Sequence, residues 1–132
     1  MRLEFGYGTG VQIVDVPDKN VMDVLYANPM EHERRGEDAV RYALLHPIGA
    51  PRLCKLAKPG QKVAIIASDI SRPVPSYELL PAILDELSAA GCRDEDITVV
   101  FALGSHRHHT EAEKQHLAGE SVYRRVRCVD SD

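Results

Sequence analysis

VAIIASDISRPVPSYELLPAILDELSAAGCRDEDITVVF, residues 63–101, decides the fold. Val63 to Ala67 is an unbroken apolar run, the pattern of a strand covered on both faces. Ser76 can cap a helix that continues to Ala90, with Gly91 as the left-handed residue beyond its end. Leu79, Leu80, Ile83, Leu84 and Leu87 recur at helical spacing and give that helix a buried face. Pro81, early in it, removes a backbone hydrogen bond or bends it. Asp94-Glu95-Asp96 reads as a turn, and Ile97 to Phe101 as a second buried strand. Strand, helix and strand in immediate succession imply parallel pairing through a right-handed crossover.

The pattern extends in both directions. Thr110-Glu111-Ala112-Glu113 is a capping box: the hydroxyl takes a backbone N–H and the Glu113 side chain reaches back. The helix it opens is closed by Gly119, and Arg125 to Val129 reads as a third strand. Upstream, Lys58-Pro59-Gly60-Gln61 is a turn, Arg52 to Ala57 a short helix, and Pro47 to Pro51 a rigid connector. Glu31 to His46 reads as a helix with Val40, Ala43 and Leu44 on its apolar stripe. Residues 1–16 read as two short strands with Gly6, Gly8 and Gly10 in the turn between them. The G-x-G-x-G spacing there also invites a phosphate-loop reading, but no helix signature follows it, so the hairpin is preferred. The expected fold is α/β: a Rossmann-like three-layer domain with a mainly parallel sheet, preceded by an N-terminal β-hairpin, all within one domain over 1–132.

Net charge is −4, and no basic stripe is present to neutralise phosphates, so nucleic acid is not an expected partner. No apolar run has the length of a membrane span, and the N-terminus lacks a secretory apolar region. The cytosol is the expected compartment. The three cysteines, Cys54, Cys92 and Cys128, are scattered, which suits small semi-buried apolar roles better than disulfide or metal chemistry.

Ligands of open parallel sheets bind beyond the carboxyl ends of the strands, and that rule selects two segments. The first is residues 68–76. Arg72 suits bidentate binding of a carboxylate or phosphate, and Ser71 and Ser76 can help hold an anion at a helix N-terminus. Pro73 is expected to hold the loop extended by restricting Arg72. The alternative is that Asp69 pairs with Arg72 and both merely fasten a loop. The second segment is residues 102–110, where Gly104 permits a sharp turn and His106 follows at the sheet edge. A metal site from His106, His108 and His109 is disfavoured, because no Cys or spaced carboxylate completes a ligand set. His108 and His109 read as solvated loop residues. His106, with Arg107 near it for charge, reads as an acid–base group facing Arg72 across one crevice.

These same residues carry a family resemblance. Asp69-Ile70-Ser71-Arg72-Pro73 resembles the D-x-T-R-P segment of lactate racemase-like proteins, and Gly104-Ser105-His106-Arg107 resembles their G-x-H-R segment. Asn28-Pro29 and Pro47 to Leu53 are also similar to that family, so the likeness spans nearly the whole chain. It implies a 2-hydroxy acid racemase or epimerase that uses a nickel-pincer nucleotide as hydride acceptor. His106 would then be a catalytic acid–base group, and Arg72 would orient the substrate carboxylate or help hold the cofactor. Asp69, Ile70, Ser71 and Arg72 would line the nucleotide end of the cofactor. Ser71 stands where the family usually has Thr, which keeps the hydroxyl. The family's second acid–base histidine, tethering lysine and nickel-binding histidine lie downstream of Asp132. No metal ligand is therefore assigned to this chain, a C-terminal domain is expected as a partner, and the chain alone is expected to be inactive. The alternative is a non-catalytic nucleotide- or anion-binding domain with a regulatory or scaffolding role, which would need Arg72 but not His106.

Overall fold

The computed structural model describes residues 1–72 and 74–132. They fall into two compact units, Met1–His32 and Glu33–Asp132.

The first unit is the expected hairpin. Strands β1 (Arg2–Tyr7) and β2 (Gly10–Asp15) pair antiparallel. Of the three glycines expected in the turn, only Gly8 lies there, at φ +57°. Gly6 pairs with Val11 and Gly10 with Tyr7 inside the ladder. A two-residue connection, Gly8-Thr9, is enough, because positive φ matches the twist of the flanking strands.

The second unit runs α1 (Gly36–Leu45), α2 (Leu53–Leu56), β3 (Val63–Ser68), α3 (Ser76–Ala89), β4 (Ile97–Ala102), α4 (Glu111–Ala118), α5 (Glu120–Arg125) and β5 (Arg127–Asp130). The three strands form one sheet in the order β3-β4-β5, parallel throughout. Register sets Ser68 beside Ala102 and Phe101 beside Asp130, so three strand ends meet at one edge.

Several boundaries differ from the sequence reading. Helix α1 starts at Gly36 rather than Glu31, because no side chain caps an earlier turn and Arg35 is still extended (φ −141°, ψ 160°). Ser76 does not cap α3: Pro75 holds the cap position, and Ser76 is the buried first residue of the helix. Pro75 has no N–H to leave unpaired there. Gly91 does end the helix in the left-handed region (φ +83°). A Cβ at Gly91 would stand 2.9 Å from Pro59 Cγ, so glycine is needed for space as well as for backbone conformation. Helix α5 replaces the start of the expected third strand, which begins at Arg127 instead of Arg125.

The core joins Leu80, Leu84 and Leu87 of α3 to Ile97, Val99 and Phe101 of β4, closed by Leu117, Ala118, Val122 and Val126. Val63, Ile65 and Ala67 of β3 pack against it from the same sheet face. On the opposite face Ile66 is 66% exposed, so β3 is covered on one face and not on both as its apolar run implied. The α/β architecture with a parallel sheet and a preceding hairpin is present. Of the three layers expected, the core cluster accounts for two, the sheet and the helices packed on this face.

Polar ties fasten the periphery. Arg52 pairs with Glu86, whose other oxygen accepts the Cys54 N–H at 3.2 Å, anchoring α2 to α3. Asp96 holds both Lys62 (2.5 Å) and Arg93 (3.0 Å). Cys92 is buried and Cys54 and Cys128 are half-buried. Burial pushes the Cys128 thiol up to about 11, which keeps it protonated and unreactive.

The capping box of α4 forms in full. Glu113 N–H donates to the Thr110 hydroxyl at 3.3 Å, and the Glu113 carboxylate accepts the Thr110 N–H at 2.8 Å. Arg107 grips the same carboxylate with two nitrogens, at 2.9 and 2.7 Å. The Arg107 guanidinium above all, and then the Thr110 N–H, hold Glu113 down to about 2. A depressed carboxyl stabilises the fold above its ordinary range and loses that contribution as pH falls through the folded value. Glu113→Gln is therefore expected to lower Tm at neutral pH, with the difference from the parent closing as pH approaches about 2. Melting curves across an acid series check this; a pH-independent difference would remove the ion pair from the account.

Candidate active site

The loops that follow β3 and β4 face each other across a cleft of about 390 Å³ at the sheet's carboxyl edge. Ser68, Asp69 and Arg72 line it from one loop, and Gly104, Ser105 and His106 from the other, with Ile66 also in the lining. This is where the topology of a parallel sheet places a ligand.

Residues 69–72 of the first loop are not extended. Arg72 N–H donates to the Asp69 carbonyl at 3.1 Å, closing a turn over residues 69–72. Pro73, on which the extended expectation rested, lies outside the described residues. The Asp69 carboxylate is buried and satisfied: Ser71 Oγ donates to Oδ1 at 2.7 Å, and His106 Nδ1 bonds Oδ2. Arg72 is not its partner, so the reading in which Asp69 and Arg72 pair to fasten the loop is replaced by an Asp69–His106 pair. Among the described residues the Arg72 side chain makes no hydrogen bond or ion pair, and it is exposed on the cleft. Ile70 and Ser71 are exposed beside it.

The second loop turns at Gly104 (φ +60°), and His106 N–H donates to the Leu103 carbonyl at 3.1 Å. The His106 side chain is 51% exposed while its carboxylate partner is 5% exposed. One ring nitrogen is thus held by a buried anion, and Nε2 remains for a ligand. The hydrogen bond from His106, followed by that from Ser71, holds the Asp69 carboxyl below the usual carboxylate range, so it stays ionised as the orienting partner. This is the arrangement in which a carboxylate fixes the tautomer of a histidine that exchanges protons through its other nitrogen. Arg107 does not line this cleft, and its charge is committed to Glu113.

The residues missed by sequence reasoning sit directly behind. His109 is not solvated: its side chain is 1% exposed, with Nδ1 at 2.6 Å from Asp130 Oδ1 and Nε2 accepting the Ile70 N–H at 3.1 Å. Its ring meets Phe101 edge-on at 5.6 Å. Burial pushes the Asp130 carboxyl up, but the ring and backbone hydrogen bonds of His109 outweigh this and leave it below the usual range. His108 is exposed, as expected. The rule that strand ends carry function would have found Asp130 had the third strand been read to its true end.

With this geometry established, comparison with known proteins places the chain. A profile of the lactate racemase N-terminal domain matches residues 7–132. The chain belongs to the lactate racemase N-terminal domain family. It is 33% identical over 133 residues to a lactate racemase of Thermoanaerobacterium thermosaccharolyticum, covering 99% of this chain and 31% of that protein. It is 28% identical over 124 residues to a lactate racemase of Lactiplantibacillus plantarum, covering 92% of this chain and 29% of that protein. The structure of the lactate racemase apoprotein from T. thermosaccharolyticum superposes with a TM-score of 0.76 at 32% identity, over all of this chain and 30% of that one. The chain thus spans about 30% of the length of the family members it matches. No helix among the described residues is long and apolar enough to cross a membrane.

Proposed function

We propose that this chain is the N-terminal cofactor- and substrate-binding domain of a cytosolic 2-hydroxy acid racemase or epimerase that works with a nickel-pincer nucleotide. The observation that carries the reading is His106, held by Asp69, facing across one cleft an arginine that has no ion-pair partner among the described residues. A hydroxy acid offers a carboxylate and a hydroxyl on adjacent carbons. Arg72 is the bidentate partner for the carboxylate, and His106 Nε2 is the acceptor for the hydroxyl proton. The charge of the resulting imidazolium is balanced by Asp69, which is already ionised and already bonded to Nδ1. When the same hand of substrate re-forms, this nitrogen gives the proton back, and the other hand falls to the second acid–base histidine that the resemblance places downstream.

The residues present fit the nucleotide end of such a cofactor. A Cβ at Gly104 would meet no atom within 4 Å, so the backbone there leaves room for a ligand to lie close. Asp69 and Arg72 line the opposite wall, with Arg72 available to an anionic group and Ile70 and Ser71 exposed beside them. When bound, the cofactor supplies the acceptor for the hydride on the substrate's C2. Among the described residues no three His, Cys, Asp or Glu side chains converge as metal ligands. The relatives' greater length supports a C-terminal domain as the partner that completes the site.

The test is production of the longer protein alongside the cofactor's biosynthetic enzymes. A covalent nucleotide adduct with nickel, together with interconversion of a 2-hydroxy acid's enantiomers, is expected. An unmodified mass without nickel, in a preparation shown to load a control enzyme, would move the chain to a non-catalytic anion-binding role. The 132-residue chain by itself, with cofactor supplied, is expected to show no racemisation, and measurable turnover by it would refute the need for a second domain.

A further inference from the structure

The buried His109 is not used by the chemistry above, yet it touches the loop that carries it. The Asp69–Ile70 peptide group is bonded at both ends: its carbonyl accepts Arg72 N–H at 3.1 Å, and its N–H donates to His109 Nε2 at 3.1 Å. His109 is itself fixed by Asp130, which takes the ring at 2.6 Å and the His109 backbone N–H at 2.8 Å. Asp130 ends β5, where Ser131 N–H donates to the Phe101 carbonyl at 2.9 Å and Ser131 Oγ accepts the Leu103 N–H at 3.0 Å. A chain of bonds therefore runs from the end of β5 through His109 to the peptide next to Asp69. Because Nε2 accepts a backbone N–H, it has no proton of its own; the proton sits on Nδ1 and points at the carboxylate.

We infer that His109, held by Asp130, is a positioning residue that sets the Asp69–Ile70 peptide plane and thereby aims the Asp69 carboxylate at His106. Orientation of a peptide plane decides where the side chain of the preceding residue starts, and the Asp69 carboxylate must reach Ser71 and His106 at once. The bond is buried, since the His109 side chain is 1% exposed, so water is no ready substitute when it is lost. The importance of the aim rests on His106 being the acid–base group, but the coupling itself does not.

The experiment is NMR on this chain, which reads the coupling without any assay of turnover. Imidazole ¹⁵N shifts of the parent should show His109 as the Nδ1–H tautomer, and the Ile70 amide should be protected. His109→Ala should speed Ile70 amide exchange roughly tenfold or more and shift the His106 ring signals. His109→Gln, whose terminal oxygen can stand where Nε2 stood, should restore both; His109→Asn, which keeps only a donor toward Asp130, should not. A proton on Nε2 of His109 in the parent would overturn the inference, and that result does not depend on any variant folding. So would unchanged His106 signals in a folded His109→Ala protein. If these spectra match expectation while the longer protein fails to racemise, the function is wrong and the positioning stands.

Discussion

His106→Ala in the longer enzyme is expected to reduce racemisation by about 10²–10⁴-fold, with ligand binding to the cleft retained. That range corresponds to about 3–5 kcal/mol of barrier height. It is the loss of a positioned proton acceptor. The ring lies in the cleft lining with Nδ1 committed to Asp69, and among the described residues no other histidine shares that lining. His108 is exposed beside Asp130, and His109 is buried with both nitrogens occupied, so neither can substitute without rebuilding a loop. Steady-state kinetics in both directions, alongside calorimetric binding of the hydroxy acid, check the expectation. Turnover within about threefold of the parent would remove His106 from the reaction, because general acid–base groups contribute far more than that. Loss of binding together with turnover would make it a binding residue instead.

Phe101→Ala is expected to destabilise the second unit by about 3–5 kcal/mol, the usual cost of emptying a fully buried aromatic site. Phe101 is 0% exposed on the central strand, inside the cluster that α3, α4 and α5 close. A domain of ordinary stability holds about 5–15 kcal/mol in all, so this one change removes a large share of it. For a unit of this size the corresponding fall in Tm is more than about 10 °C. Urea and thermal melts of parent and variant check it, and a Tm within about 3 °C of the parent would show that the neighbours collapse into the void. The same change removes the ring that the His109 imidazole meets edge-on, so the Ile70 amide should also lose protection.

The two glycine-limited helix ends were legible because they rest on local chemistry. Gly91 and Gly119 both take positive φ where the apolar spacing stops, and Thr110 with Glu113 closes a box four residues long. The parallel order followed from element succession, since short connections leave a βαβ chain few alternatives. The start of β5 was misplaced because Arg125 to Val129 has no pattern that separates the end of a helix from the start of a strand. Tertiary packing decides it: Val122 and Val126 face the core cluster from α5 and the residue beyond its end.

At the site, the types of residue were written in the chain: an arginine after one strand, a histidine after a glycine following the next. What pairs with what was not. Asp69 is three residues from Arg72 and 37 from His106, and sequence proximity alone left a pairing with Arg72 open as an alternative. The parallel register of β3 and β4 sets their ends level and gives Asp69 to His106. His109 shows the same limit more sharply. Its neighbours His108 and Thr110 are exposed, and its own residue type is usually solvated in a loop. Only the fold brings Asp130 and the Ile70 N–H to its two nitrogens, and burial is tolerable there because both are satisfied. By itself, then, the sequence determined most of the elements, their parallel order and the strand edge that holds the candidate site, since these depend on periodicity and short connections. Tertiary structure alone decided which carboxylate orients which histidine, because that depends on register between strands whose ends are distant in sequence.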